Sequence, residues 1–328
     1  MGELSGTSRF IVTGGAGFIG RRLAAKLARV HDCVYVVDMR HRPDCLPRNV
    51  HYVHADISDA TSLRGLLSES TIVFHLAANS STTKAILDPW SDLNTNAAGA
   101  LTVLEACRSQ GVRRLLYASS ASVYGRPQSS RIRESHELHP TTPYGVSKLA
   151  GELYCRSYYA TYRIPAVIVR PFCVYGPGED PTNALVEVSR YLRWYISTGS
   201  VPIIGDAAAK TRDFVYVDDV VAALINLADT GIPSEAYNLG SGTETSMVQL
   251  VLEIAAMLEG SPTFTEDRTM LLDTYRLVAN IDKLRSLGFA PRVSLQMGLR
   301  RVAAALETSP SPPSHPAILH ADHQGEQV

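Results

Sequence analysis

The 328-residue sequence has few cysteines and no pair of the CxxC type. Its five cysteines are odd in number and widely spaced, and its histidines also lack the spacing of metal ligands. This distribution argues against a disulfide framework and a zinc site. We therefore expect no bound metal and a reducing, cytoplasmic environment.

The sequence also lacks long apolar runs and an excess of charge of either sign. No run approaches the roughly eighteen residues of a membrane span, and the N-terminus lacks the apolar core of a signal peptide. Lys and Arg number 31 and Asp and Glu number 32, so the net charge is −1. Nucleic-acid binding usually needs a basic excess. We therefore expect neither a nucleic acid nor a membrane as a partner.

Short apolar runs alternate with amphipathic stretches through the first half of the chain, as is typical of a parallel sheet wrapped by helices. Strands are predicted at residues 9–13, 33–37, 50–54, 72–76, 114–119 and 166–170. Helices are predicted at residues 21–30, 60–69 and 96–110. All but one of the strands read as near-continuous apolar runs, so we expect them to be buried on both faces. The sequence therefore predicts an α/β fold with a Rossmann-type, doubly wound parallel sheet.

The pattern changes after Arg170, where a loop rich in Pro and Gly begins. Beyond this loop, a helix is predicted at 184–198, a strand and a helix at 213–229, and a helix at 246–258. The end of the chain is rich in Ser, Pro and His, with almost no apolar content, which is typical of a disordered tail.

A glycine-rich loop, VTGGAGFIG, follows the first predicted strand and opens the first helix. Gly15, Gly17 and Gly20 match GxGxxG, and Gly14, Gly17 and Gly20 match GxxGxxG. The first glycines permit a tight turn, and Gly17 lets the backbone approach a pyrophosphate at the helix N-terminus. Gly20 allows the helix to pack closely on the strand. The loop predicts a dinucleotide site.

Asp38 closes the second predicted strand, eighteen residues after Gly20. A carboxylate at this position accepts hydrogen bonds from the adenosine ribose hydroxyls and repels a 2′-phosphate. The sequence therefore favours NAD over NADP. Two alternatives stay open: Arg40 can serve a 2′-phosphate, and Asp38 can be a turn former alone.

Tyr144 and Lys148 stand four residues apart in PYGVSK. On a helix this spacing puts both side chains on the same face. By itself the pair could be a solvated feature of a surface helix, so its interpretation depends on the rest of the chain.

Taken in order along the chain, the glycine loop, the PYGVSK segment and eight further segments resemble the extended short-chain dehydrogenases/reductases that act on nucleotide-sugars. These enzymes are NAD-dependent epimerases and dehydratases. The resemblance extends from residue 9 to about residue 305. The further segments are Ala55-Asp56-Ile57, VFHLAA (73–78), NAAG (96–99), SSASVYG (119–125), RPFCVYGPG (170–178), RDFVYVDDV (212–220) and YNLGSG (237–242), with Asp38.

The resemblance implies that Tyr144 is the catalytic acid/base, that Lys148 holds the nicotinamide ribose, and that Ser120 hydrogen-bonds the reacting sugar oxygen. A free tyrosine has a pKa near 10. An ammonium one turn away and a positive nicotinamide favour the phenolate, and a shift of about three units corresponds to about 4 kcal/mol. Ser119 and Ser122 are neighbours, and a turn-forming role is the alternative for Ser120.

The resemblance also implies a division of the chain and two sets of binding residues. Residues 1–171 are expected to form an NAD-binding Rossmann domain to which part of 213–240 returns, 172–306 mainly a smaller C-terminal substrate-binding domain, and 307–328 a disordered tail. NAD is expected to contact Gly14, Gly17, Phe18, Ile19, Gly20, Asp38, Met39, Arg40, Asp56, Ile57, Leu76, Ala77, Ala78, Asn96, Tyr144, Lys148 and Pro171. A nucleotide diphosphate sugar, with a UDP-sugar favoured, is expected to contact Ser80, Ser120, Ser122, Tyr144, Cys173, Asn183, Arg212, Asp273 and Arg276.

The two residues after Ser120 bear on the reaction. Dehydratases of the family carry Asp-Glu there and uronate decarboxylases commonly Ser-Glu, whereas this chain has Ala121 and Ser122. Without a carboxylate there, the remaining reaction of the family is removal of a hydride from C4 and its return to the other face. This reaction is 4-epimerisation through a 4-keto intermediate, and it regenerates NAD in each cycle. A decarboxylase, dehydratase or oxidoreductase sharing this intermediate is the alternative, and a non-catalytic NAD-binding regulator is a third reading.

Arg212 resembles the arginine that clamps the substrate diphosphate, a role suited to its planar donor fork. The alternative is a surface arginine paired with Asp213. Cys173 stands where an asparagine is common, and MLLD (270–273) lacks the arginine of the usual RxGD, which is absent or replaced by Arg268 or Arg276. The loop at 176–183 lacks the arginine of uronate epimerases. These departures favour a neutral sugar.

A tyrosine-rich stretch at 152–163 follows the Tyr144–Lys148 segment. In the family's dimers this helix and the 96–110 helix pack against a second subunit, so the resemblance implies a homodimer. A packed core face is the alternative.

Overall fold

The structure of the chain is a computed structural model that describes residues 8–127, 131–179, 186–267 and 275–306. Asn183, Arg268 and Asp273, and the predicted tail at 307–328, lie outside the described residues.

The first half of the chain alternates strands and helices as the sequence predicts. In order, the elements are β1 (Arg9–Thr13), α1 (Phe18–Leu27), β2 (Val34–Asp38), β3 (His51–His54), β4 (Thr71–His75), α2 (Thr82–Leu87), α3 (Pro89–Leu93), a π-helical turn (Asn94–Ala98), α4 (Gly99–Gln110), β5 (Arg114–Ala118), a 3-10 turn (Ala121–Tyr124), α5 (Pro143–Tyr162) and β6 (Ala166–Pro171).

The second half consists of shorter strands between helices. The elements are β7 (Cys173–Tyr175), α6 (Glu187–Thr198), β8 (Val201–Ile204), β9 (Thr211–Arg212), β10 (Phe214–Tyr216), α7 (Val217–Thr230), β11 (Ala236–Leu239), β12 (Thr245–Ser246), α8 (Met247–Met257), β13 (Phe264–Asp267), β14 (Arg276–Leu277), α9 (Asp282–Arg285) and α10 (Leu295–Leu306).

Seven parallel strands form the main sheet in the order β11-β6-β5-β4-β1-β2-β3. Alternate residues of β1 enter two different cores: Phe10 and Val12 pack into one, and Ile11 packs into the other. Both faces of the sheet are therefore covered, which confirms the doubly wound α/β fold. The strand order reverses between β1 and β4, where such sheets bind ligands at their carboxyl ends.

The strand that is not buried on both faces is β3 (His51–His54), whose first and last residues are exposed. It lies at the edge of the main sheet, so one of its long sides has no neighbouring strand. The expectation that all but one of the predicted strands are buried is confirmed.

The smaller sheets come from the chain after Pro171. They consist of β10-β7, β12-β9-β14 and β13-β8. The 213–240 segment returns to the main sheet, because β11 pairs with β6. The domain boundaries themselves stay a prediction. Within the described ranges, no helix has both the length and the apolar character that crossing a membrane requires.

The predicted helix at 60–69 is wrong. Its leucines recur at helical spacing, but the segment forms consecutive turns, with Ser62 N bonded to Asp59 O at 3.0 Å and Leu66 N to Leu63 O at 3.1 Å. Gly65 has a φ of +72°, which interrupts a right-handed helix. The leucines still enter the core, but from turns.

Two other helices differ from the prediction at their ends. Helix α1 begins at Phe18, directly after the glycine loop, and ends at Leu27, so it is shifted toward the N-terminus relative to 21–30. The predicted 96–110 helix begins with the π-helical turn at 94–98 and continues as α4.

Candidate active site

The glycine turn between β1 and α1 is tightly packed. Gly14 has a φ of +67°, and a Cβ added there would lie 2.6 Å from Ala77 N. A Cβ on Gly20 would lie 2.3 Å from Gly14 O, so the close partner of Gly20 is the turn itself. No side chain caps α1, and its first turn carries no acidic residue. Its N–H groups and positive dipole end therefore suit a pyrophosphate, and the turn fits NAD.

Asp38 lies at the end of β2, beside this turn. Its carboxylate accepts hydrogen bonds from Ala16 N at 2.9 Å and from Arg40 N at 3.0 Å. The Arg40 guanidinium also contacts it, with Nε at 3.3 Å, and extends over Gly17. Asp38 is 5% exposed, and its role as a cofactor ligand stays a prediction. The carboxylate is placed at the strand end where ribose hydroxyls bind in this fold.

The other expected cofactor residues lie at the carboxyl ends of the central strands. Leu76, Ala77 and Ala78 follow β4, with Ala77 against the glycine turn. Asp56 and Ile57 follow β3, Met39 follows β2, Phe18 and Ile19 open α1, and Pro171 ends β6. The structure thus brings the residues expected to hold NAD to one edge of the sheet.

Asn96 differs from the other expected cofactor residues because its side-chain amide forms hydrogen bonds within the protein. Asn96 Nδ2 donates to Asp92 Oδ1 at 2.9 Å and to Ser147 Oγ at 3.1 Å. Its Oδ1 accepts from Asn79 N at 2.9 Å. With 1% of its surface exposed, Asn96 connects the π-helical turn to α5.

Tyr144 and Lys148 lie in the first two turns of α5. Thr142 caps the helix by accepting a backbone hydrogen bond at 3.1 Å, and Pro143 occupies its first turn, as both residue types favour. Tyr144 is 9% exposed and Lys148 3%, so the solvated surface pair is wrong. The ammonium donates to Ala118 O at 2.8 Å at the end of β5.

Burial controls the ionisation of both groups. It raises the pKa of Tyr144 to about 12, although a hydrogen bond with Ser120 acts in the opposite direction. Burial also lowers the pKa of Lys148 to about 8, which the charge of Asp92 partly offsets. The expected fall in the pKa of Tyr144 is therefore not produced by the residues of the chain.

Ser120 combines the two roles that the sequence left open. Its Oγ accepts a hydrogen bond from Ser122 N at 3.1 Å and so caps the 3-10 turn, and it also hydrogen-bonds Tyr144. Ser119 instead donates to Glu152 at 2.5 Å in the core. Of the two serines that neighbour Ser120, Ser122 therefore remains at the site, with its Oγ 3.1 Å from Ser120 Oγ.

Arg212 is 4% exposed, and its Nε lies 3.6 Å from Glu187 Oε1. Its Nη1 donates to Thr211 O at 3.0 Å and to Tyr275 O at 2.9 Å, and its guanidinium lies 4.5 Å above the Tyr275 ring. Asp213 instead accepts N–H bonds from three backbone positions. The alternative of a surface arginine paired with Asp213 is therefore wrong.

Arg276 has a different environment. Its guanidinium forms a bidentate pair with Glu244 at 2.7 and 2.6 Å, and half of its side chain is exposed. It lies one strand from Arg212, because β14 pairs with β9. Ser80, another expected substrate residue, is exposed after β4.

Two charged residues beside Arg212 were missed by the sequence interpretation. Glu187 Oε1 lies 3.6 Å from Arg212 Nε and 3.7 Å from Lys210 Nζ, and all three are buried. Burial opposes ionisation, but Arg212 and Lys210 hold the pKa of Glu187 down at about 2. Burial raises the pKa of the neighbouring Cys173 thiol. No spacing in the sequence indicates this cluster, which unites α6, β9 and β7.

No group of three or more His, Cys, Asp or Glu side chains within the described ranges could hold a metal ion.

Comparisons with known proteins agree with this arrangement. A family model described as the NAD dependent epimerase/dehydratase family matches residues 10–240. The UDP-glucose 4-epimerase of Mycolicibacterium smegmatis is 34% identical over 308 residues, with 89% of this chain and 96% of that protein covered. The dTDP-D-glucose 4,6-dehydratase of Mus musculus is 27% identical over 312 residues, with 89% and 87% covered.

The solved structures include the UDP-glucose 4-epimerase of Thermus thermophilus in complex with NAD. It has a TM-score of 0.81 and 29% identity, with 92% of this chain and 99% of that chain covered. The family match extends from β1 to the end of β11 and includes the glycine turn, Tyr144 and Lys148. The chain belongs to the NAD-dependent epimerase/dehydratase family.

Proposed function

We propose that the protein is an NAD-dependent nucleotide-sugar 4-epimerase that works through a transient 4-keto sugar. The observation that carries this proposal is the composition of the turn that faces Tyr144. Ser120 contacts the phenol, and the next two positions are Ala121, which is buried, and Ser122. No carboxylate of this turn is available to remove a second proton, so Tyr144 alone handles the proton on the sugar.

When bound, NAD would supply the chemistry of removing the C4 hydride and returning it. Tyr144 takes the proton of the sugar hydroxyl and gives it back, and Ser120 fixes that oxygen. Because burial raises the pKa of Tyr144 to about 12, the phenolate depends on positive charge at the site. Lys148 carries such a charge one helical turn from Tyr144. With a pKa lowered to about 8 by burial, it is mostly an ammonium at neutral pH.

Arg212 is suited to the substrate diphosphate. Its bonds to Thr211 O and Tyr275 O use Nη1 and fix the plane of the guanidinium, which stacks on Tyr275. A guanidinium held in this way presents a fixed positive charge to an anion. The UDP-glucose 4-epimerase relative supports a UDP-sugar, and the absence of an arginine from the loop at 176–183 favours a neutral sugar.

Product analysis tests the reaction. The purified chain is incubated with UDP-, dTDP-, GDP- and CDP-sugars, and the products are followed by proton NMR and mass spectrometry. An epimerase yields a stereoisomer of unchanged mass. A product that has lost water identifies a dehydratase, release of carbon dioxide a decarboxylase, and net change of NAD to NADH an oxidoreductase. Any of these three products would overturn the proposal.

We also propose a homodimer formed through α4 and α5. Four large side chains of α5 are exposed in the single chain: Val146, Leu153, Tyr154 and Tyr162. An apolar face of this kind is often covered by a partner. Light scattering after size-exclusion chromatography should give twice the chain mass for the wild type and the chain mass for Leu153→Glu. A monomeric wild type at micromolar concentration would contradict the dimer.

A further inference from the structure

Asp92 is a buried carboxylate on α3, and α3 packs against α5, the helix that carries Tyr144 and Lys148. It is 1% exposed. Its Oδ1 accepts hydrogen bonds from Asn79 Nδ2 at 3.1 Å and from Asn96 Nδ2 at 2.9 Å. Among the residues that the structure describes, its Oδ2 has no hydrogen-bond partner. A buried carboxylate with one unsatisfied oxygen is costly unless a positive charge compensates it.

Among the acidic groups around Lys148, Asp92 is the one that remains to balance its positive charge. On α5, Glu152 forms a bidentate pair with Arg170 at 2.8 and 2.6 Å, so its charge is already compensated. Burial raises the pKa of the Cys155 thiol, which is therefore neutral. The charge of Asp92 acts on Lys148, and among the described residues Asp92 Oδ2 has no hydrogen-bond partner.

The remaining neighbours of Lys148 carry no negative charge. Tyr117, on β5, lies with its ring 5.3 Å from the ammonium, and burial holds its pKa well above the usual value. His75, on β4, is neutral because burial lowers its pKa to about 3. Tyr144, on α5, is also neutral below a pKa of about 12, to which burial raises it.

We propose that Asp92 is a positioning residue that holds Lys148 as an ammonium and secures the first turn of α5 at the site. This inference rests on the proposed function only for the role of Lys148 in that site. The second part follows from a chain of contacts. Asn96 bonds both Asp92 and Ser147, and Ser147 Oγ donates to Tyr144 O at 3.0 Å.

The sign of the effect follows from the charge. Asp92 raises the pKa of Lys148 against the burial that lowers it, and it also raises the pKa of Tyr144. Asp92→Asn removes the charge and keeps the shape. Both pKa values should then fall, and the two limbs of the pH profile of kcat/KM should move together toward lower pH.

The pKa of Lys148 can be measured without any turnover. The chain has five lysines: Lys26, Lys84, Lys148, Lys210 and Lys283. Labelling lysine with ¹³C at Cε therefore gives five signals, and the Lys148 signal is assigned by its absence in Lys148→Arg. The full chain is titrated with NAD present. Because the charge of Asp92 raises the pKa of Lys148, Asp92→Asn should lower that pKa measurably.

Asp88→Asn is the matched control. Asp88 caps the same helix from an exposed position by accepting a hydrogen bond from Ser91 N at 3.0 Å, and asparagine caps equally well. This variant should leave the Lys148 titration unchanged. An unchanged Lys148 pKa in Asp92→Asn, or an equal fall in Asp88→Asn, overturns the proposal.

Two further variants of Asp92 keep the proposal testable if Asp92→Asn does not fold. Asp92→Glu keeps the charge and should retain the wild-type pKa of Lys148, whereas Asp92→Ser should lower it; the reverse result overturns the proposal. Thermal unfolding is recorded for each variant. Because these titrations need no substrate, a protein that fails every nucleotide-sugar assay would refute the proposed function and leave this test intact.

Discussion

Arg212→Ala should separate substrate anchoring from chemistry. The diphosphate does not change between the ground state and the transition state, so a residue that binds it lowers KM and leaves kcat nearly unchanged. A charge-assisted contact contributes roughly 2–3 kcal/mol. Loss of Arg212 should therefore raise KM on the order of thirty- to a hundredfold.

Removing Arg212 should also lower the stability of the protein, and this loss has to be distinguished from the rise in KM. Arg212 lies 3.6 Å from Glu187. After its removal that buried carboxylate keeps Lys210 at 3.7 Å and the charge of Arg190. Breaking a buried pair typically costs about 3–5 kcal/mol, and Lys210 should hold the loss at or below the lower end. KM is therefore measured well below the melting temperature of the variant.

Two variants control the measurement. Arg212→Lys keeps the charge but loses the donor fork, so it should recover only part of the affinity. Arg276→Ala removes an arginine from the adjacent strand that is half exposed and already paired with Glu244, and it should change KM much less. The assay is initial rate against nucleotide-sugar concentration for all four proteins. An unchanged KM in Arg212→Ala, or a fall in kcat alone, would refute the assignment of the diphosphate to Arg212.

Three other predictions concern the cofactor site and the core. Tyr144→Phe should lower kcat at least about a hundredfold while NAD still copurifies; near-normal turnover would contradict its role as acid/base. The wild type should prefer NAD to NADP, and Asp38→Ala should weaken that preference, as measured by isothermal titration with each dinucleotide; a wild type selective for NADP would contradict the role of Asp38. Glu152→Gln should lower the free energy of unfolding by about 3–5 kcal/mol in urea, because it leaves the buried Arg170 guanidinium without its carboxylate. Glu105 forms an exposed pair with Arg108, so Glu105→Gln should lower the free energy of unfolding by less than about 1 kcal/mol. Equal losses of stability in the two variants would contradict the importance of burial.

The sequence alone was sufficient for features that depend on local chemistry. The glycine spacing predicted a turn that the structure forms with Gly14 at a φ of +67°. The apolar runs predicted the strands of the main sheet, because a strand buried on both faces has to be apolar throughout. The Tyr144–Lys148 spacing placed both side chains on one helix face for the same local reason.

Other features were decided by contacts between distant parts of the chain. The leucine spacing at 60–69 favoured a helix, but the turn at Gly65 and the adjacent core accept those leucines from consecutive turns. The Arg212 alternatives differed only in burial, which depends on how β9, α6 and the chain near Tyr275 pack together.

The position of Asp92 shows the same limit most clearly. Nothing in its own segment indicates a functional residue, because its significance comes from Asn96, Ser147 and Lys148, up to 56 positions away in the sequence. Local sequence patterns report the interactions of neighbouring residues, which determine helices, strands and turns. The charge that one buried group feels from another depends on their distance in space, and only the tertiary structure sets that distance.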